Sequence, residues 1–152
     1  MPAYSLQDVS CSIDGPGGMF EIMGSGVAEE GINIEPVGDK NTMTMGGDGA
    51  GMHSLSASTA STVTIKLLKT SPTNAQLMGM YNFQTGSSAR HGQNTIVVRD
   101  AARGDLVTLN EVAFKKIPPI GYAKEGGLLE WTFDAIETIP MLGGDSLLGL
   151  LL

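Results

Sequence analysis

From Ser61 to Lys69 the chain reads STVTIKLLK, with Val63, Ile65 and Leu67 alternating against Thr62, Thr64 and Lys66. Successive side chains of an extended strand point to opposite faces, so this period of two predicts a strand with one buried and one wet face. A helix would gain nothing from that spacing, and its β-branched residues would lose side-chain freedom there. The alternation recurs along the chain. Val9, Cys11 and Ile13 share one face, as do Phe20 and Ile22, and Gly15-Pro16-Gly17-Gly18 between them predicts a hairpin. Ile32 and Ile34 alternate with Asn33 and Glu35, and Met43 and Met45 alternate with Thr42 and Thr44; Pro36 and Gly38 break the run between them.

NTIVVRD, DLVTLNEVAFKK and GGLLEWTFDAIET supply three more strands. In the second, the apolar phase switches between Leu109 and Val112, which predicts a β-bulge or a change of buried side. In the third, Leu129, Trp131, Phe133 and Ala135 share a core face, and Glu130, Thr132 and Asp134 share the wet one. A single helix is expected over SPTNAQLMGMYNFQTG. Ser71 suits its cap, Pro72 its first turn and Gly86 its end, while Leu77, Met78 and Tyr81 fall at helical spacing. Gly79 within it costs about 1 kcal/mol relative to Ala. The pattern is seven or eight strands plus one helix, a mainly β chain, and its 21 glycines fit that reading.

A length of 152 residues suits one domain, 1–152, with a long hairpin loop around 41–62 and a short apolar C-terminal tail, 143–152. The lone Cys11 excludes an intrachain disulfide and is expected to be an apolar filler. The opening residues lack a basic region followed by an apolar one, so the chain is expected to be cytoplasmic when made. No apolar run approaches the roughly 18 residues needed to span a bilayer, so no membrane insertion is expected, and SLLGLLL is expected to pack on this domain or on a neighbour.

The formal net charge is −7. Residues 1–60 hold Asp8, Asp14, Glu21, Glu29, Glu30, Glu35, Asp39 and Asp48 against Lys40 alone, whereas the rest of the chain is balanced. Gripping nucleic acid requires clustered Lys and Arg, and the first third has the opposite.

The glycine run MGGDGAGM, from Met45 to Met52, lacks the Lys-Ser or Lys-Thr of a phosphate loop and is flanked by strand patterns on both sides. It reads as a hairpin tip. Asp39, Asn41 and Asp48 miss calcium-loop spacing, and His53 and His91 have no second ligand at metal spacing, so no metal and no cofactor is expected. Both histidines read as solvated surface or interface residues. The many serines supply no nucleophile elbow, and Arg103-Gly104-Asp105 reads as a turn between strands, so no catalytic residue is assigned. Unbranched thioether chains fill irregular gaps and adapt to partner surfaces; Met43 and Met45 are expected to fill the core, and Met52 to face an interface.

GDKNTMTMGGDGAGMHSL, STVTIKLLKTSPTNAQLMGMYNFQTGSSARHGQNTI, RGDLVTLNEVAFKK and YAKEGGLLEWTFDA together resemble the tail tube proteins of contractile-tailed bacteriophages. The resemblance runs from Tyr4 to Leu142, and KLLKTSPTNAQL with HGQNTI carries its specificity. It implies an antiparallel β-sandwich or small barrel with one flanking α-helix. Six copies would close into a ring, and rings would stack into a virion tail tube inside a contractile sheath, assembled in the host cytoplasm. With four lumen strands from each copy, about 24 strands would give a backbone diameter of roughly 50 Å, wide enough for duplex DNA. The implied partners are further copies of itself, the tail sheath, tape measure, baseplate and tail terminator proteins, and DNA in transient passage.

On this resemblance Glu21, Glu29, Glu30 and Glu35 are expected to form an acidic lumen or ring face that repels DNA. Met45, Gly46, Gly47, Asp48, Gly49, Ala50, Gly51, Met52 and His53 are expected to touch an adjacent subunit or ring. Their glycine-rich tip would order as the tube grows, at roughly 1 to 2 kcal/mol per residue, so that assembly would await a baseplate template. Two other readings stand beside this one. The inner tube of a phage-tail-like bacteriocin or type VI secretion system would have much the same pattern. A carbohydrate-binding β-sandwich would need exposed aromatics, and the one Trp lies on an apparent core face.

Overall fold

The computed structural model describes residues 9–22, 27–124 and 126–143, and the side chains of residues 27–30 lie outside the description. The alternating segments form nine strands: β1 (Val9–Gly15), β2 (Gly18–Glu21), β3 (Val27–Pro36), β4 (Asn41–Met45), β5 (Gly51–Leu55), β6 (Ser61–Leu68), β7 (Asn94–Asp100), β8 (Asp105–Lys116) and β9 (Leu128–Met141). There are thus nine strands among the described residues, more than the seven or eight expected, because the β4–β5 arm adds a separate pair, and one helix, α1 (Thr73–Thr85), which follows β6. Among the described residues, seven strands make a single antiparallel sheet in the order β2-β1-β7-β8-β9-β6-β3, and β4 pairs only with β5. The hairpin is therefore shorter than the 41–62 loop expected. It closes at Leu55, and the strand from Ser61 belongs to the main sheet, paired with β3 and β9.

The sheet curls around one core, which gives the barrel-like form of the expected architecture. Cys11 and Ile13 of β1, Val63, Ile65 and Leu67 of β6, Ile96 of β7, Leu109, Val112 and Phe114 of β8, and Trp131, Phe133 and Ala135 of β9 are buried in a single cluster. Ile32 and Ile34 of β3 pack against that same cluster. A groove lined by Val9, Ile32, Ile34, Val98 and Val107 lies between the β3 margin and strands β1, β7 and β8. The β3 margin thus approaches β1, the strand next to the other margin, across the core.

The phase switch in β8 is a bulge. Ile96 faces Leu109 and Asn94 faces Val112, so the register with β7 shifts by one residue between them. Glu111 takes φ 53°, the left-handed region, which costs a non-glycine residue roughly 1–2 kcal/mol. The extra residue keeps Leu109 and Val112 both on the buried side.

A curled sheet with one apolar face needs a lid, and α1 supplies it by burying Leu77 and Met80. Full burial of each such side chain contributes about 1.5–3 kcal/mol. Tyr81 meets Phe114 edge-on at 5.6 Å, and Phe114 packs on Phe133 at 4.8 Å. Two amide clamps fix the lid's ends. At the start, Trp131 Nε1 donates to Asn74 Oδ1 at 3.0 Å, and Asn74 Nδ2 donates to the Leu68 carbonyl at 2.9 Å. At the end, the buried Gln84 and Asn94 exchange two 2.7 Å hydrogen bonds, and Gln84 Nε2 also donates to the Pro16 carbonyl at 2.8 Å. The Asn94 amide lies so close to Gly15 that an added Cβ would fall 1.9 Å from its Oδ1. Glycine is required there by close approach, not by backbone angle.

The first helical turn also uses Ser71, whose hydroxyl accepts from the Thr73 amide at 3.4 Å. Gly79 is exposed on the outer face, where an added Cβ would meet open space. Gly79→Ala is therefore expected to stabilise the fold by about 0.5–1 kcal/mol, checked by urea denaturation.

Burial pushes the Cys11 thiol from its ordinary 9.0 up to about 12. The folded thiol stays protonated while the unfolded one ionises, so stability from this group is fully present below pH 9 and is lost as pH rises from 9 toward 12. Cys11 is expected to resist thiol reagents at pH 8 in the native protein and to react once denatured; rapid native labelling would contradict its burial.

Candidate functional site

The curled sheet has two distinct ends. At one lie the β1–β2 turn, α1, the start of β7 and the loop between β8 and β9; at the other, β3 ends and β6 begins. Between Pro36 and Ser61, at this second end, the chain extends as the β4–β5 arm. Every residue from Asn41 to Leu55 is exposed. The base is held where Ser56 N donates to the Lys40 carbonyl at 2.8 Å, Val37 N to the Ala60 carbonyl at 3.0 Å, and Lys40 Nζ to the Ser58 carbonyl at 3.3 Å. A groove of about 430 Å³ beside the base is lined by Pro36, Val37, Ala60, Thr138 and Pro140 among others.

Cross-strand register sorts the arm's side chains. Asn41 faces Leu55, Met43 faces His53 and Met45 faces Gly51, so these side chains share one side; Thr44 and Met52 share the other. Asn41 Nδ2 lies 3.0 Å from His53 Nδ1 across the strands, and an amide hydrogen bond there requires the ring nitrogen as acceptor. An added Cβ on Gly51 would stand 3.0 Å from Met45 Sδ, so this thioether is folded over the glycine. Met43 and Met45 are 61% and 55% exposed, which overturns the expectation that they fill the core. The alternation was real, but it belongs to a two-stranded ribbon with no sheet beneath it.

The tip from Gly46 to Ala50 is already closed. Gly46 N donates to the Ala50 carbonyl at 2.6 Å, Gly49 N to the Gly46 carbonyl at 3.1 Å, and Ala50 N to Asp48 Oδ1 at 3.0 Å. Gly49 sits at φ 89°, where an L side chain would be strained. The glycines build a defined turn, and the carboxylate of Asp48 is a turn former as its setting suggested.

The four glutamates expected on an acidic face lie on two strands, β2 and β3. Glu21 in β2 and Glu35 in β3 are exposed but stand at opposite margins of the strand order. Glu29 and Glu30 lie in β3, and their side chains are outside the described residues. Register makes Glu35, Thr62 of β6 and Asp134 of β9 one continuous row on the outer face, with Asn33, Thr64 and Thr132 in the next row; Thr132, expected to be wet, is instead buried, opposite Lys116 of β8. Asp134 was absent from the expected acidic set. Its place on the wet side of β9 was visible in the alternation, but its partner across two strands was not.

His53 and His91 are both exposed, and no cluster of His, Cys, Asp or Glu suited to a metal occurs among the described residues. Trp131 is 1% exposed and committed to Asn74, so it offers no platform for a sugar ring. Among the described residues no helix is long and apolar enough to cross a membrane. The tail from Gly144 to Leu152 lies outside the described residues.

Comparison with known proteins bears on this arrangement. A comparison with curated protein sequences finds no match. Among solved structures, the fold is similar to a chain of the sheath-tube complex of the extracellular contractile injection system PVC in its extended state, with TM-score 0.59, 13% identity and 93% of each chain covered. It is similar to a chain of the PVC sheath/tube terminator at TM-score 0.59 and 14% identity, covering 93% of this chain and 98% of that one. A chain of the anti-feeding prophage baseplate matches at TM-score 0.52 and 10% identity, covering 93% and 96%. At such identities these likenesses concern the fold alone. The family model of the bacteriophage PhiTE tail tube protein matches residues 1–143. That family is structural rather than enzymatic, and by this match the chain belongs to it: it is a bacteriophage tail tube protein of the PhiTE family.

Proposed function

We propose that this chain builds the inner tube of a contractile tail from stacked hexameric rings and that DNA passes through the tube during ejection. The observation that carries the reading is the β4–β5 arm, which presents Met43, Met45, Met52 and Leu55 to solvent. Exposed apolar side chains grouped on a projecting ribbon favour contact with a partner surface, and thioether chains adapt to its shape. Family membership makes further copies of the same chain the natural partner.

The margins of the sheet support ring closure. Among the described residues, β2 and β3 each present one side of the backbone that no other strand pairs. Such edges invite uncontrolled pairing, and a closed ring in which each copy covers its neighbour's margin removes the hazard. The arm's preformed tip also changes the expected energetics of stacking. Because hydrogen bonds already close Gly46 to Ala50, docking does not have to order a floppy glycine loop. A template such as the baseplate would then act by presenting a first complementary ring.

The outer face of β3, β6 and β9 is the surface we assign to the lumen. Its row of Glu35, Thr62 and Asp134 presents carboxylates and hydroxyls, and Lys66, the lysine on that face of β6, stands opposite Glu130, so the face offers a phosphate backbone little to grip. Sheath, terminator, baseplate and tape measure proteins would be the tube's other partners, and assembly would take place in the host cytoplasm. The fold likeness to chains of extracellular contractile injection systems favours one second reading, an inner tube of an injection system or bacteriocin. Capsid and portal genes beside this one would decide for the phage.

Deleting Gly47 to Gly51 is expected to leave a soluble protein with an unchanged thermal unfolding curve that forms no tubes by negative-stain microscopy. Tubes from the deletion protein would remove the arm from stacking. Changing Glu35 and Asp134 together to Lys is expected to slow DNA ejection from assembled phage, because each lysine adds a sequence-independent hold on phosphate. Ejection at the normal rate would remove this face from the lumen.

A further inference from the structure

We infer that the arm of one copy docks on a lysine-bearing aromatic patch at the opposite, helix-bearing end of the next copy, centred on Tyr122; the inference rests on the stacking reading above. The loop between β8 and β9 carries Ile120 at 57% and Tyr122 at 87% exposure, beside Leu68 and Leu128, which face each other across β6 and β9 and are both exposed. An aromatic ring this open is ordinarily mobile, but Tyr122 is held. Lys69 Nζ stands 4.1 Å over its ring and donates to the adjoining Gly121 carbonyl at 2.6 Å. A fixed, exposed aromatic has little further side-chain freedom to lose on binding, which is the character of an interface anchor.

Three features match this patch to the arm. The first is position: β6 starts at the arm and ends at Leu68, so the strand's own length separates arm from patch. Surfaces at opposite ends of one chain cannot meet within it, and when joined between copies they form the repeating head-to-tail contact that an axial stack needs. The second is chemistry. Met43 and Met45 lie on one side of the arm, and thioether sulfur packs favourably on aromatic rings. The third is charge. Lys69 stands over Tyr122, Lys116 lines the groove beside Leu128 with Glu130, and Lys66 stands opposite Glu130 across the strands, whereas the arm and its base hold Glu35, Asp39 and Asp48 against Lys40. Opposite potentials orient the approach and oppose arm-to-arm pairing.

A second aromatic at the same end provides the contrast. Phe83, 46% exposed, has the Arg90 guanidinium 4.2 Å over its ring. It also packs closely beside Gly17, where an added Cβ would meet its ring at 3.2 Å, so it serves the lid's own packing as well as facing solvent.

Cysteine cross-linking in the full chain tests the assignment, because the single native thiol is buried. Gly47 and Ala123 are exposed, and a Cβ on Gly47 meets open space. In tubes grown from Gly47→Cys/Ala123→Cys protein, a short bismaleimide is expected to produce a covalent ladder well beyond dimer. Gly47→Cys/Asn82→Cys protein, with its thiol beside Phe83, is expected to give none. Tyr122→Ser is expected to abolish tubes without moving the thermal unfolding midpoint, whereas Phe83→Ser should still assemble. Tubes without the Ala123 ladder, or a ladder through Asn82 instead, would overturn the Tyr122 site and leave stacking intact. If the unaltered chain forms no tubes, stacking fails and the site fails with it.

Discussion

The fold depends on covering one apolar sheet face with a single short helix. Seven antiparallel strands curl far enough to bring Ile32 and Ile34 onto the same core as Cys11 and Ile96, but they do not close over their helix-bearing end. α1 fills that opening, and its position is set by polar contacts as much as by Leu77 and Met80. The Gln84–Asn94 pair is fully buried, so each amide left alone would forfeit its hydrogen bonds in a place water cannot reach. Such a pair tolerates one placement of the helix. With Trp131 and Asn74 fixing the other end, the lid becomes a rigid reference for the loops beside it.

This rigidity gives the two ends of the chain different characters. The helix end is clamped, aromatic and basic; the far end extends as a ribbon whose side chains all face solvent. A protein acting alone would gain nothing from holding four large apolar side chains on such a ribbon. On the stacking proposed above the asymmetry has a purpose, since a polymer grows only where unlike surfaces meet repeatedly. The bulge at Glu111 serves the core between those ends. It keeps Leu109 and Val112 both buried in long β8, so one strand serves the core on both sides of the switch.

Much of the architecture was legible in the chain because it rests on local periodicity. The alternation in β6 and β9, the Gly15–Gly18 turn, the helix between Ser71 and Gly86 and the bulge in β8 are each written within a short continuous segment. Met43 and Met45 show where that logic stops. Their period of two matches β6 as far as sequence can tell, yet one strand lies over a core and the other over nothing. Periodicity reports that a strand has two unlike faces, and it is silent on whether any layer lies beneath them.

The sequence by itself determined most of the elements, the buried solitary thiol and the acid-rich first 60 residues, because these follow from residue type and spacing. Only the tertiary structure decided which residues act together. Glu35 joins Asp134 rather than Glu21, Gln84 finds Asn94, and Lys69 holds Tyr122, each through strand order and register between distant segments. The reason is physical. Backbone preference acts over a few residues, whereas a surface is assembled from side chains that only the folded sheet brings side by side.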